Sequence, residues 1–117
     1  MRHRKNKVTL DRTADLRRSL LRNLVRSLII HEKITTTVAK GRVVRSLTEK
    51  IITVGKTPTL THRRELLSRL NDHDVVKKVL ETLSPRYVKR AGGYTRAIKI
   101  GHRAGDAAEQ VMIEFVS

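Results

Sequence analysis

A row of leucines spaced four residues apart lies in residues 13–31 and consists of Leu16, Leu20, Leu24 and Leu28. Leu21, Val25 and Ile29 lie beside this row, so the apolar side chains form a single stripe with the period of an α-helix. The spacing predicts an amphipathic helix from about Thr13 to His31. Such a helix needs further elements of the chain to cover its apolar stripe.

Three later segments also have helical periodicity. They are residues 38–54, 59–70 and 72–83, in which Leu, Ile or Val recur three or four residues apart. Ser84-Pro85 is predicted to end this helical half, because a residue before proline is pushed out of the α conformation. The cluster Asn71-Asp72-His73-Asp74 suggests either helix capping or metal ligation, and capping is favoured because Asn and Asp satisfy free N–H groups at a helix start.

Strand signals occur in three places. Residues 34–37 are β-branched throughout, which is typical of a short strand. Residues 94–100 and 110–116 flank a turn-rich connection, and this arrangement predicts an antiparallel hairpin. In the last strand Val111, Ile113 and Phe115 share one face, which is expected to pack on the helices.

Together these elements predict an α+β fold. We expect about four helices packed on one side of a small, about three-stranded, mixed or antiparallel sheet, with a basic N-terminal arm. The predicted division is an arm at residues 1–12 and a single globular domain at residues 13–117.

Basic residues far outnumber acidic ones. The 117-residue chain carries 26 Lys and Arg against 11 Asp and Glu, a net charge of +15. Such self-repulsion is typical of proteins that bind polyanions, and nucleic acid is the first expectation. The chain has no cysteine, which excludes disulfides and thiolate metal sites. No apolar run suits a membrane span or a secretory signal, so a soluble intracellular protein without a membrane partner is expected.

Two adjacent glycines, Gly92 and Gly93, lie between basic residues and lead into the first hairpin strand. Because glycine has no Cβ, both can take positive φ, bring the backbone close to a partner and donate N–H groups to it. No acidic residue occurs between Glu81 and Asp106. The stretch predicts a clamp for a nucleic-acid backbone, and an ordinary loop with a solvated basic face is the alternative.

Basic residues elsewhere extend this prediction. Arg18 and Arg22 lie four residues apart beside the apolar stripe of the first helix, and the basic arm is expected to lie along phosphates. Lys40 and Arg42 lie near the start of the second helix, where the helix dipole disfavours cations and an external anion would compensate. The complete predicted RNA-binding set is Arg2, His3, Arg4, Lys5, Lys7, Arg12, Arg18, Arg22, Lys40, Arg42, Arg86, Lys89, Arg90, Gly92, Gly93, Tyr94, Thr95, Arg96, Lys99 and Arg103.

The sequence carries no catalytic pattern. Its five histidines lack the spacing of paired metal ligands, and it contains no Walker loop and no cysteine nucleophile. We therefore expect no enzyme activity, no cofactor, no metal and no small-molecule substrate.

Among nucleic-acid binders, the three aromatic residues are too few and too scattered to form a platform for stacked bases. Contacts to phosphate and 2′-hydroxyl groups of folded RNA are expected instead. A nucleoid-type or regulatory DNA-binding protein is the alternative, although Arg18 and its neighbours lack the Asn and Gln partners of base reading.

Several stretches together resemble one family along essentially the whole chain. They are Met1-Arg2-His3-Arg4-Lys5, Arg22-Asn23, His31-Glu32-Lys33-Ile34-Thr35-Thr36-Thr37, Arg90-Ala91-Gly92-Gly93-Tyr94-Thr95-Arg96 and Arg103-Ala104-Gly105-Asp106-Ala107-Ala108. This pattern resembles the family of the seventeenth protein of the bacterial large ribosomal subunit. The resemblance implies a cytoplasmic, structural ribosomal component without catalytic residues. It also implies binding to large-subunit ribosomal RNA near the outer end of the polypeptide exit tunnel, close to the small basic protein numbered thirty-two.

Overall fold

The computed structural model describes Leu10 and residues 12–117. Its elements are α1 (Ala14–His31), β1 (Lys33–Thr37), α2 (Val38–Gly55), α3 (Leu60–Leu70), α4 (His73–Lys78), a π-helical segment (Val79–Leu83), α5 (Ser84–Arg86), β2 (Thr95–His102) and β3 (Glu109–Phe115). The backbone stays helical from α4 through α5, so the described residues form four helical rods and one sheet, as predicted. None of these helices is long and apolar enough to cross a membrane.

The predicted arm lies almost entirely outside the described residues. This applies to Arg2, His3, Arg4, Lys5 and Lys7. The division into an arm and a globular domain stays a prediction.

The sheet is antiparallel, with strand order β1-β3-β2. Ile34 of β1 and Ala97 of β2 both pair with Ile113 of the central strand. Val111, Ile113 and Phe115 are buried, which confirms the predicted inward face of the last strand. The helices therefore cover that face of the sheet.

Strand β2 forms one edge of the sheet and is mostly exposed. Thr95 is its one buried residue, while Ile98 and Ile100 are 40% and 49% exposed. A register shift between Lys99 and Gly101 marks a β-bulge in this strand.

The core is mainly aliphatic, as expected from a chain with few aromatic residues. Helix α1 contributes Val25, Leu28 and Ile29, which are fully buried. Leu16, at the start of the predicted leucine row, is 62% exposed, so the core covers the C-terminal part of the apolar stripe and not its first turn.

The three aromatic residues pack together inside the core. The ring centroid of Tyr87 lies 5.2 Å from that of Tyr94 and 6.3 Å from that of Phe115, and all three side chains are buried. The Tyr87 hydroxyl donates a hydrogen bond to the carbonyl of Val116. These aromatics stabilise the junction between the helical and strand halves and are closed to nucleobases.

The polar cluster between α3 and α4 caps helices. The Asp72 carboxylate accepts hydrogen bonds from the N–H groups of Asp74 and Val75 at 3.0 and 3.2 Å. Asn71 takes a left-handed conformation that ends α3. The capping interpretation is confirmed, and the described residues contain no cluster of His, Asp and Glu that could hold a metal ion.

The predicted helix end at Ser84-Pro85 is wrong. Ser84 keeps helical angles of −64° and −40°, and its N–H donates to the carbonyl of Val79, five residues earlier. This wider turn admits Pro85, which lacks an N–H, and the helix continues to Arg86. Burial of Ser84, whose hydroxyl donates to the Ile52 carbonyl at 3.1 Å, overrides the local preference of a residue before proline.

Helix α2 approaches its neighbours closely at two glycines. A Cβ on Gly41 would lie 2.8 Å from Val111 Cγ2 of the sheet. A Cβ on Gly55 would lie 2.4 Å from Ser84 Oγ and 2.9 Å from Val79 Cγ1 of the π-helical segment. Neither position has room for a side chain.

We expect Gly55→Ala to lower the free energy of unfolding by about 1–3 kcal/mol, because the added methyl overpacks the contact with the π-helical segment. The loss should appear in urea denaturation despite the better helix propensity of alanine. Gly92→Ala is the matched control, since a Cβ there meets no atom within 4 Å. Equal stability of both variants would contradict this account of α2 packing.

Candidate nucleic-acid interface

The two predicted glycines lie in a loop, residues 90–94, that crosses the C-terminal half of α2; we refer to it as the glycine loop. Gly93 takes a positive φ of 63°, whereas Gly92 does not enter the left-handed region. A Cβ on either residue would meet no atom within 4 Å. The backbone of the loop therefore faces open space, and only Gly93 requires the conformational freedom of glycine.

Glu49 of α2 holds the glycine loop in place. Its carboxylate accepts hydrogen bonds from the Gly93 N–H at 3.2 Å and from the Thr95 hydroxyl at 2.8 Å. Arg45 completes the network, with Nε 3.5 Å from the Glu49 carboxylate and a guanidinium N–H donated to the Thr95 carbonyl at 3.1 Å. The sequence predicted that the Gly93 N–H donates to a phosphate of the partner. In the structure this N–H donates to Glu49 instead.

The side chains of Tyr94 and Thr95 are also buried in contacts within the protein. They are 1% and 2% exposed, and the Tyr94 hydroxyl lies 3.3 Å from Thr53 Oγ1. The ammonium group of Lys56 lies over the Tyr94 ring, 4.6 Å from its centroid. Neither side chain is therefore accessible to a binding partner.

Cations from distant parts of the chain surround the glycine loop. Lys56 donates a hydrogen bond to the carbonyl of Arg90, and the Lys89 and Arg90 side chains are exposed. Lys50 and Arg69 line, with Gly92, an open cleft of about 440 Å³. The sequence did not predict Lys50, Lys56 and Arg69 as binding residues, because they lie on or beside helices that are far from the loop in the sequence.

Arg69 also connects the glycine loop to α1. The Arg22 Nε donates to the carbonyl of Arg69 at 3.1 Å. Arg18 and Arg22 line a second cavity, of about 450 Å³, between α1, α2 and α3, and Arg69 lies on its rim as well. We call this cavity the arginine groove. The structure thus brings the predicted arginines of α1 to the same surface as the glycine loop.

A second predicted group lies at the sheet end of α2. Lys40 and Arg42 flank Gly41, which packs against Val111, and Val111 pairs with Lys99 across the sheet. The first turn of α2 contains no acidic residue, as the sequence shows. Lys40 is half-buried, while Arg42 and Lys99 are exposed.

Several predicted arginines form ion pairs within the protein. Arg96 Nε lies 2.6 Å from Glu114 Oε1, and Arg86 NH1 lies 2.6 Å from Glu32 Oε1. The hydrogen bond from Arg86 lowers the pKa of Glu32. Arg18 has a longer contact, 3.7 Å, with Asp15. Arg12 donates to the Leu10 carbonyl at 2.9 Å just before α1.

Arg103 organises the connection between β2 and β3. Its guanidinium donates two hydrogen bonds to the Asp106 carboxylate, at 3.0 and 2.5 Å, and Asp106 also accepts from the Ala108 N–H at 3.2 Å. The hydrogen bonds from Arg103 and from the Ala108 backbone lower the pKa of Asp106 to about 2 from an ordinary 3.8.

We expect Glu49→Ala to loosen the glycine loop, since the Gly93 N–H and the Thr95 hydroxyl lose their acceptor. Amide hydrogen exchange at Gly93 should accelerate by the equivalent of about 1–3 kcal/mol in local opening free energy. Glu81→Ala, which removes an exposed carboxylate from the π-helical segment, should leave Gly93 unchanged. Unaltered exchange in Glu49→Ala would show that the loop is held by other contacts.

Acid should open the hairpin connection locally. Because the folded pKa of Asp106 is depressed, its stabilising contribution is present above the ordinary value of 3.8 and is lost as the pH falls toward about 2. Carboxyl chemical shifts followed by NMR should give a midpoint near the lower value. In Arg103→Gln the midpoint should rise toward 3.8; an identical midpoint in both proteins would refute the ion pair.

Comparison with known proteins identifies the family. A family described as "Ribosomal protein L17" matches residues 20–116. A "Large ribosomal subunit protein bL17" of Syntrophotalea carbinolica is 47% identical over 116 residues, covering 99% of this chain and 75% of the relative. The protein with the same name from Bradyrhizobium diazoefficiens is also 47% identical over 116 residues, covering 99% of this chain and 84% of the relative. The chain therefore belongs to the ribosomal protein L17 family.

Proposed function

We propose that this chain is a structural constituent of the large ribosomal subunit and that it binds folded ribosomal RNA. The names of its relatives support the first part, since each is a protein of that subunit. The chemistry of the surface supports the second part.

The observation that carries the RNA-binding proposal is the group of cations beside the glycine loop. Lys50 and Arg69 line the cleft next to Gly92, and Arg90 belongs to the loop itself. A Cβ on Gly92 or Gly93 would meet no atom within 4 Å, so the backbone there is open to a partner. Glu49 fixes the conformation of that backbone from beneath. A phosphate chain can therefore approach closely and meet charges that are already placed.

The remaining predicted cations extend this interface in two directions. Arg18 and Arg22 continue it along α1, toward the first turn of that helix, while Lys40, Arg42 and Lys99 lie at the sheet end. Arg86, Arg96 and Arg103 hold their ion pairs and would contribute through the part of the guanidinium that stays exposed. Contacts spread over so wide a surface suit recognition of one RNA tertiary shape.

The location is also part of the proposal. The family resemblance supports a place near the outer end of the exit tunnel, beside the small basic protein thirty-two, in cytoplasmic ribosomes. The chain would hold RNA segments together there, without a cofactor or a small-molecule substrate.

Sedimentation tests the proposal directly. A tagged copy should migrate with large subunits and whole ribosomes on a sucrose gradient and stay with them through a high-salt wash. Recovery with the nucleoid, or free at the top of the gradient, would overturn the assignment and favour the DNA-binding alternative.

The cations beside the glycine loop should account for part of the salt dependence of RNA binding. In Lys50→Gln/Arg90→Gln, the slope of log affinity for large-subunit ribosomal RNA against log salt should fall in magnitude by about 0.7–0.9 for each lost phosphate contact. Lys77→Gln is the control, since Lys77 is exposed on α4 and lines neither cavity. Equal slopes for all three proteins would exclude this surface from the RNA interface.

A further inference from the structure

The arginine groove combines an apolar floor with a cationic rim. The floor consists of Leu21, Val25, Leu47, Ile51 and Leu70, contributed by α1, α2 and α3. Val25, Ile51 and Leu70 are buried, while Leu21 and Leu47 are half-buried and pack against the core. A concave site whose apolar side chains are only partly covered suits a partner with an apolar surface.

The charges on the rim show what kind of partner fits. Four guanidinium groups stand there, from Arg17, Arg18, Arg22 and Arg69. Asp15 lies 3.7 Å from Arg18, and Glu65 lies 2.9 Å from Arg69. Arg17 and Arg22 donate to backbone carbonyls and form no ion pair with any carboxylate of the described residues. The rim therefore keeps an excess of positive charge that suits an anion.

We propose that the arginine groove receives a single unpaired nucleotide of the bound RNA, with its base on the apolar floor and its phosphates on the arginine rim. This inference rests on the proposed function and specifies which part of the RNA the arginine groove binds. Unpaired bases of folded RNA are recognised by splaying them out onto apolar surfaces and guanidinium planes.

The alternatives fit less well. A phosphate backbone alone would leave the apolar floor uncovered. An apolar side chain of a protein partner would leave the four guanidinium groups without an anion. A nucleotide joins a flat, largely apolar base to a phosphate anion and so matches both parts of the groove.

The size and position of the groove agree with this occupant. Its volume of about 450 Å³ suits a small ligand and excludes a duplex. Arg69 lies between the groove and the cleft beside Gly92, so both belong to one surface. A single RNA strand can therefore place one base in the groove and pass its phosphates over Arg69 to the glycine loop.

Chemical probing of large subunits tests the inference. We would isolate subunits that contain the wild-type chain or Ser68→Trp, in which an indole fills the groove from an exposed position on its wall. Reagents that modify the pairing edges of the four bases would then map unpaired nucleotides. We expect at least one unpaired nucleotide to be protected with the wild type and to lose that protection in Ser68→Trp.

Two further variants keep the result interpretable. Thr61→Trp, at an exposed position of α3 that lines neither cavity, should give the wild-type pattern. If Ser68→Trp does not fold, Ser68→Glu replaces it, because a carboxylate at this wall repels the phosphate and should cause the same loss of protection.

A photocrosslinker at Ala14, on the groove wall, identifies the occupant independently. A crosslink to ribosomal RNA at the protected nucleotide supports the inference, whereas a crosslink to a polypeptide overturns it. Normal incorporation of Ser68→Trp with unchanged protection also overturns it and leaves the proposed function intact. Absence of the wild-type chain from large subunits would instead overturn the proposed function itself.

Discussion

Close approach of α2 to its neighbours holds the domain together. Gly41 lets this helix lie directly on the sheet, and Gly55 lets it contact the π-helical segment. The same helix carries Glu49, whose carboxylate fixes the glycine loop. Because packing and loop support share one rigid element, a displacement of α2 would move the anchor of the loop as well. The candidate interface therefore inherits its shape from contacts made in the core.

Several carboxylates of this basic chain form ion pairs that link its elements. Glu32 binds Arg86 and Lys78, linking the end of α1 to α4 and α5. Glu114 binds Arg96 across the sheet, and Asp106 orders the hairpin connection. Each task places negative charge against cations that would otherwise repel one another. These carboxylates reduce self-repulsion inside the fold, while Lys50 and Arg90 are exposed at the surface.

Sequence reasoning succeeded where the signal was periodic and local. The spacing of apolar residues identified all four helical rods, and alternation in residues 111–115 identified the inward face of β3. Asp72 was correctly assigned to a helix cap, since capping depends on residues two or three positions away. The predicted α+β arrangement follows from these local signals.

Sequence reasoning failed where contacts between residues far apart in the sequence determine the local structure. The rule that a residue before proline leaves the helix was overridden by the burial of Ser84 against Ile52, which no local pattern reveals. Tyr94 and the Gly93 N–H were predicted to contact RNA, and local sequence gave no sign of their contacts with Thr53 and Glu49 of α2. The residues of α2 and Arg69 reach the candidate interface only after folding.

The bulged edge strand β2 has a further consequence for the free chain. An uncovered strand bearing Ile98 and Ile100 is a template on which a second copy could pair and begin to aggregate. The bulge at Lys99 and the cations along the strand interrupt that template, which disfavours edge-to-edge pairing of two copies.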